Sequence, residues 1–259
     1  MGNQFVNVNQ DEHVATVTLN NPPANALSSP LMAELGGVLD ELAENASVKA
    51  VVVAGSGTIF VAGADIKEIA TISASKQGEE LTSKGQAIFN KMERLSKPTI
   101  AAINGFCLGG GLELAMACHL RICGDRARLG QPEINLGIIP GFGGTQRLSR
   151  LVGRAKALEM ILTGDIINAQ EAKSLGLVNK VVPEGEVLKQ ALGLAKKITS
   201  KGGKALSAAL RAVQEGFSRP LEEGLALESR LFGTLCETAD MKEGISAFLE
   251  KRQPKFSDQ

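Results

Sequence analysis

The chain has 259 residues, of which 44% are hydrophobic and 3% aromatic, with nine Phe and neither Trp nor Tyr. Lys plus Arg and Asp plus Glu each total 28, giving zero formal net charge, and only two His are present. Such a chain has no global field to gather polyanions and few platforms on which bases could stack, so no nucleic-acid partner is expected. Two His exclude a His-rich metal site and leave a Ser-His-Asp triad only His13 or His119, so carboxylates are the expected proton carriers. At about 150 residues per domain, the length fits one large domain or two modest ones. Cys107, Cys118, Cys123 and Cys236 form no CxxC pair, as expected in a reducing compartment. The first residues, MGNQFVNVNQDEHV, lack the basic stretch and apolar run of a secretory leader, and no apolar run reaches membrane-spanning length. A soluble, cytoplasmic protein with no membrane association is the expectation.

In chain order, Val14 to Leu19 alternates apolar residues with Thr and predicts a strand. Leu31 to Leu42 repeats apolar residues at helical spacing, with Ser28 or Ser29 as cap before Pro30. Ala50 to Ala54 predicts a buried strand, Leu81 to Leu95 a helix stopped by Pro98, and Thr99 to Ile103 a further strand. Alternating strands and helices define an α/β architecture. From about Gly185 the character changes: Leu188 to Ile198, Ala205 to Val213, Leu221 to Leu235 and Met241 to Phe248 all predict helices, with no further strand.

Three segments depart from ordinary strand and helix composition. In Phe60 to Lys67 (FVAGADIK), Gly63 between Ala62 and Ala64 lets backbone N–H groups approach a ligand. Taken alone, that segment is a strand-to-helix turn with Asp65 as helix cap. In Asn104 to Ala117 (NGFCLGGGLELAMA), three glycines open a helix, a costly choice unless something packs on them or their N–H groups face a ligand. Glu113 lies in the first turn among apolar neighbours; it is either a surface acid complementing the helix dipole or a buried carboxylate with raised pKa. In Leu129 to Thr145, Glu133 sits in a glycine-rich, mostly apolar run with no helical face to carry it into solvent. Gly141, Gly143 and Gly144 then lead to a helix starting near Thr145, but neither GxxxxGK[ST] nor GxGxxG is present.

Together and in this order, PPANALS, AGADIKE, NGFCLGGGLELA, LGQPEINLGIIPGFGGTQRL, TGDIINAQEAKSLGLVNKVV and the EGISAFLEKRQPKF tail resemble the enoyl-CoA hydratase (crotonase) family, and most closely its short-chain hydratases. The resemblance spans nearly the whole chain. It implies an α/β crotonase fold, a spiral of ββα turns over residues 1–197 holding the active site. A helical trimerisation region is implied over 198–259. It further implies a homotrimer, or a homohexamer built as a dimer of trimers.

By position, the resemblance assigns the backbone N–H groups of Ala64 and Gly110 to the thioester oxygen, Glu113 and Glu133 to the acid–base pair, and Gly141 to the catalytic water. Glu113 would activate the water and Glu133 would deliver the proton to Cα. Ala24, Ala26 and Leu27, with Ala62, Asp65, Ile66 and Lys67, match segments along the CoA path, where Lys67 suits a phosphate-bearing ligand. No metal and no cofactor is implied, since CoA belongs to the acyl thioester substrate. His119 stands where many relatives have Asp and is read as structural; His13 is read as a surface turn residue, and Cys107 as packing. The reaction expected is addition of water to a trans-2-enoyl-CoA, giving a 3-hydroxyacyl-CoA. Double-bond isomerisation on the same scaffold is the alternative, and a noncatalytic acyl-CoA- or RNA-binding relative is a more distant one.

Overall fold

A computed structural model describes residues 4–259; residues 1–3 of the N-terminal stretch read above lie outside it. In chain order the elements are β1 (Val6–Asp11), β2 (Val14–Leu19), α1 (Ser29–Glu44), β3 (Ala50–Gly55), α2 (Ile66–Ile69), α3 (Ser75–Glu93), β4 (Thr99–Ile103), β5 (Phe106–Leu108) and α4 (Gly110–Ala117). They continue with β6 (Leu120–Gly124), β7 (Arg128–Gly130), a 3-10 turn (Pro132–Leu136), α5 (Gly144–Val152), α6 (Arg154–Thr163), β8 (Ile166–Asn168), α7 (Ala169–Ser174) and β9 (Lys180–Val182). Four helices close the chain: α8 (Val187–Thr199), α9 (Gly203–Phe217), α10 (Leu221–Leu235) and α11 (Ala239–Leu249).

The main sheet has the order β1-β2-β3-β4-β6-β9, parallel throughout except for the β1–β2 hairpin. Its central strands read as unbroken apolar runs because both faces are covered. Val51 and Val53 of β3 join the larger core, which includes Leu31, Leu35 and Leu39 of α1. Ala50, Val52 and Ala54 point the other way, against Val187, Ala191 and Ala195 of α8. A second, smaller layer collects the segment that follows each main strand. Leu27 bridges Ala64, Val61 bridges Cys107, and β5 pairs with β7, all in parallel, while β8 closes the edge antiparallel. Strand, short strand and helix thus repeat along the chain as β2–Leu27–α1, β3–Val61–α3, β4–β5–α4 and β6–β7–α5. This is the expected spiral.

Local chemistry fixes the element ends. Ser28 Oγ accepts from the Leu31 N–H at 3.4 Å and caps α1, with Pro30 in the first turn. Helix α3 starts at Ser75 rather than Leu81, because its opening SKQGEE carries no apolar residue to signal a period. Gln77 Oε1 reaches back to accept from the backbone N–H groups of Ser73 and Ala74. The same helix ends at Glu93 rather than Leu95. Strand β1 was not signalled at all: of VNVNQD only Val6 is buried. The boundary expected between 197 and 198 falls in the last turn of α8, which packs on the main sheet. Beyond it, the tail is tied back by Asp258, whose Oδ1 accepts from Lys49 Nζ at 2.8 Å and from the Gly203 N–H at 2.6 Å. Among the described residues no helix is long and apolar enough to cross a membrane.

Candidate active site

The glycine triplet resolves into three separate demands. Gly109 takes φ +51° and turns the chain into α4; a Cβ there would lie 2.8 Å from Glu133 Oε1. Gly111 packs directly on the Val61 carbonyl, leaving no room for a side chain. A Cβ on Gly110 would stand 3.3 Å from the Ala64 nitrogen, so these two backbones lie against each other. The bridge between Leu27 and the 63–65 segment uses the Gly63 carbonyl and the Asp65 N–H, and leaves the Ala64 N–H free. Gly110 opens α4, where the first N–H groups have no helical acceptor. Neither N–H has a partner among the described residues. Two unspent donors side by side at a helix N-terminus form a site for developing negative charge.

Glu113, one turn into α4, is 2% exposed. Its Oε1 accepts from the backbone N–H groups of Phe142 at 2.7 Å and Gly144 at 2.6 Å. Burial pushes its carboxyl up to about 8, against the opposing pull of those two bonds. Glu133 rides the 3-10 turn, half-buried rather than fully buried, with Oε2 sealed from solvent and unbonded. Burial raises it to about 7. Both acids, together with Ala64 and Gly110, line a cavity of about 2010 Å³. From there it follows α3 through Leu81, Gln86 and Asn90 to the α9 residues Leu210 and Gln214. Two carboxylates of raised pKa sharing one cavity titrate as a pair and can hold a single proton near neutral pH.

The other residues singled out in the sequence divide into two groups. Ala62, Ile66 and Gly141 line the cavity. Gly141 accepts from Gln86 Nε2 at 2.8 Å through its carbonyl, and its N–H has no partner among the described residues. Ala24, Ala26, Leu27, Asp65 and Lys67 are not on the cavity wall. Ala24 accepts from the Ala62 N–H at 3.0 Å, and Leu27 packs on Gly110, so this segment backs the oxyanion strand. Asp65 caps α2 by accepting from the Lys67 N–H at 2.8 Å, and the Lys67 side chain is exposed. His119 Nδ1 accepts from Thr99 and its Nε2 lies 3.1 Å from the Glu93 carbonyl, so both ring nitrogens are used. Cys107 is fully buried, its thiol pushed well up by desolvation. His13 is exposed in the β1–β2 turn.

Sequence reasoning missed the support of the acids. Gln131, fully buried, donates to the Gly109 carbonyl at 3.1 Å. Phe142 and Gly144 hold Glu113 through backbone, and Arg147 holds Phe142. Only the run of glycines at 141–144 signalled that backbone was at work there.

A profile of the enoyl-CoA hydratase/isomerase family matches residues 9–259. The chain is 48% identical to a probable enoyl-CoA hydratase of Bacillus subtilis, across 95% of this chain and 96% of that protein. It is 46% identical to a short-chain-enoyl-CoA hydratase of Clostridium acetobutylicum, across 93% of this chain and 92% of that one. The crystal structure of an enoyl-CoA hydratase from Bacillus anthracis superposes with a TM-score of 0.95 at 41% identity, covering 99% of this chain and 100% of that one. Its counterpart from Geobacillus kaustophilus superposes at 0.97 with 34% identity, covering 100% and 98%. The chain belongs to the enoyl-CoA hydratase/isomerase family.

Proposed function

We propose that this chain is a hydro-lyase that adds water across the double bond of a trans-2-enoyl-CoA, giving the 3-hydroxyacyl-CoA. The observation that carries the reading is the pairing of Glu113 and Glu133 on one cavity with the free N–H groups of Ala64 and Gly110. The thioester oxygen lies between the two N–H donors and gathers charge as the bond to Cβ forms. Donors of this kind are each worth about 2.7–4 kcal/mol to the transition state. In the reacting form the pair's single proton sits on Glu133, and Glu113, ionised and held by Phe142 and Gly144, takes a proton from the attacking water, which the Gly141 N–H helps to hold. Glu133, protonated, delivers its proton to Cα. The electron pair of the double bond passes through the enolate and forms the new C–H bond. The proton that Glu113 takes then passes back to Glu133, so over a full turnover water supplies both the hydroxyl and the hydrogen, and no redox cofactor or metal is required beyond the CoA carried by the substrate.

An isomerisation that shuttles one proton would leave Glu113 without a task, which favours hydration. Ala24, Ala26, Leu27, Asp65 and Lys67 are assigned to the CoA side of the strand they support, outside the reacting cavity. Helices α9–α11 bury only Leu227, Asp240 and Ala247 in the single chain, which supports a homotrimer or a dimer of trimers with these helices at the contacts. The test is hydration of crotonyl-CoA and of 2-enoyl thioesters with four to sixteen acyl carbons, followed by identification of the 3-hydroxyacyl product. Conversion of 3-enoyl-CoA without hydration of any 2-enoyl-CoA would replace the reading with an isomerase.

A further inference from the structure

The hydrogen bonds that hold Glu113 lead to a charged side chain with no role in the reaction as derived above. Arg147, on α5, keeps its guanidinium largely out of solvent, with 11% of the side chain exposed. Its Nη1 donates to the Phe142 carbonyl at 3.0 Å, and the N–H of that same residue donates to Glu113 Oε1. Its Nε and Nη2 donate to Glu93 Oε2 at 3.2 and 2.7 Å, and Nη2 also donates to Asn90 Oδ1 at 2.7 Å. The loop it grips turns at Gly143, which has φ +110° and lies against the Arg147 guanidinium, where a side chain would collide with it. Glu93 and Asn90 stand on α3, and the Glu93 carbonyl accepts from Gln214 of α9 and faces His119 Nε2.

We propose that Arg147 is a positioning residue for the hydration reaction: by clamping the Phe142 carbonyl to α3, it holds the 142–144 backbone that fixes and charges the Glu113 carboxylate. This rests on the hydratase reading above. Arg147 need not touch substrate; it sets where the base carboxylate points and how readily it ionises. Its positive charge also favours the ionised form of Glu113. Glu93, on the far side of the guanidinium, offsets part of that charge. The other titratable group that acts on Glu113 among the described residues is Glu133 on the 3-10 turn, whose charge opposes ionisation of Glu113.

The signs of two substitutions follow. Arg147→Met removes the clamp and the cation, so Glu113 ionises less readily and the limb of kcat/KM that its titration governs moves to higher pH. Glu93→Gln keeps a hydrogen-bond acceptor but removes the offsetting charge, so the limb moves to lower pH. Displacements of about half to one pH unit are expected from a neighbouring charge with a partner of its own. Misplacement of a catalytic group by about 1 Å is worth up to about 100-fold. The kcat of Arg147→Met should therefore fall between about 10- and 100-fold, with KM for crotonyl-CoA changed less than about threefold. Arg147→Lys restores the charge without the fork, so its limb returns toward the parent position while kcat stays reduced.

Opposite displacement of the limb in Arg147→Met and Glu93→Gln supports the proposal. Loss of activity with no displacement in Arg147→Met, displacement of both variants in the same direction, or a change confined to KM would overturn it. Where Arg147→Met fails to fold, a limb moved to lower pH in Glu93→Gln, with kcat reduced at a near-parent limb in Arg147→Lys, supports the proposal, and an unmoved limb in Glu93→Gln or an unchanged kcat in Arg147→Lys overturns it. Isotope-edited infrared titration of the Glu113 carboxyl reads the displacement without substrate. A parent protein inactive on 2-enoyl-CoA would therefore defeat the hydratase reading alone, and the titration would still decide the role of Arg147.

Discussion

Glu113 is held by two short backbone bonds in a place where its charge is poorly solvated, and each fact has a measurable consequence. Glu113→Gln and Glu133→Gln should each lower kcat for hydration by at least about 100-fold, the scale of a lost acid or base. Retained activity in either would remove that residue from the mechanism. The parent should show a bell-shaped kcat/KM profile whose limbs lie above the ordinary carboxylate range, because burial raises both acids. Stability should carry the same signature. The folded pKa of Glu113 stands at about 8 against an ordinary 4.5, so its contribution is fully present below 4.5 and is lost as pH rises toward 8. Glu113→Gln should thus be more stable than the parent at pH 8, with the gap closing at pH 5. Urea denaturation at the two pH values measures this, and a gap that ignores pH would contradict the assigned burial cost. Gly109→Ala tests the turn itself: it strains a φ of +51° and drives a methyl to within 2.8 Å of Glu133 Oε1, so activity should fall far more than expression of folded protein.

At the scale of elements, the sequence was legible wherever a period or an anomaly was local. Ala50 to Ala54 and Thr99 to Ile103 announced central strands because burial on both faces leaves them apolar throughout but for the buried Thr99. Leu31, Leu35, Val38, Leu39 and Leu42 announced α1 through one apolar face. The acids stood out by their apolar surroundings, and Asp65 proved to be the plain helix cap that its segment first suggested. What stayed hidden was long-range. The Phe142 and Gly144 bonds to Glu113 join residues 29 and 31 apart, and no periodicity within either segment encodes them. The polar opening of α3 and the solvent-facing edge strand β1 hid for the converse reason, having little apolar surface to show. Two helical glycines separate propensity from packing. Gly37 in α1 faces open space, so Gly37→Ala should add about 0.5–1 kcal/mol through helix propensity. Gly85 in α3 lies against the Phe142 ring, which itself packs edge-on against Phe89 at 5.7 Å. Gly85→Ala should therefore destabilise by about 1–3 kcal/mol despite the same propensity gain. It should also lower kcat by shifting the residue whose N–H holds Glu113. Thermal unfolding of both variants checks the difference in sign; equal shifts would mean that α3 does not press on the 142–144 loop.

The whole molecule poses a problem of surface. The main sheet is covered on both faces within one chain, yet α9–α11 leave Phe217 73%, Phe232 69% and Phe248 82% exposed, with Leu221 and Leu249 alongside. Large apolar side chains left this exposed on three successive helices mark a surface for a partner, and a second copy of the same chain is the partner the family resemblance implies. These helices are not remote from catalysis: α9 lines the cavity through Leu210 and Gln214, and Gln214 donates to the Glu93 carbonyl behind Arg147. Assembly should therefore stabilise the cavity wall as well as hide apolar surface. Sedimentation velocity at micromolar concentration should show a species of three or six chains, with no appreciable monomer. Replacing Phe232 and Phe248 together with Glu places unpaired charge in the contact and should shift the distribution toward monomer, since a buried unpaired charge costs several kcal/mol. The dissociated chain should keep its sheet, because α8 and the tail contacts through Lys49 and Asp258 are made within one chain. With the acyl chain running from Glu113 and Glu133 along the cavity toward α9, the KM of the dissociated protein should rise more for the longer acyl thioesters than for crotonyl-CoA. A doubly substituted protein that remains a trimer or hexamer would place the subunit contacts elsewhere. One that dissociates with unchanged KM across chain lengths would separate assembly from the cavity wall.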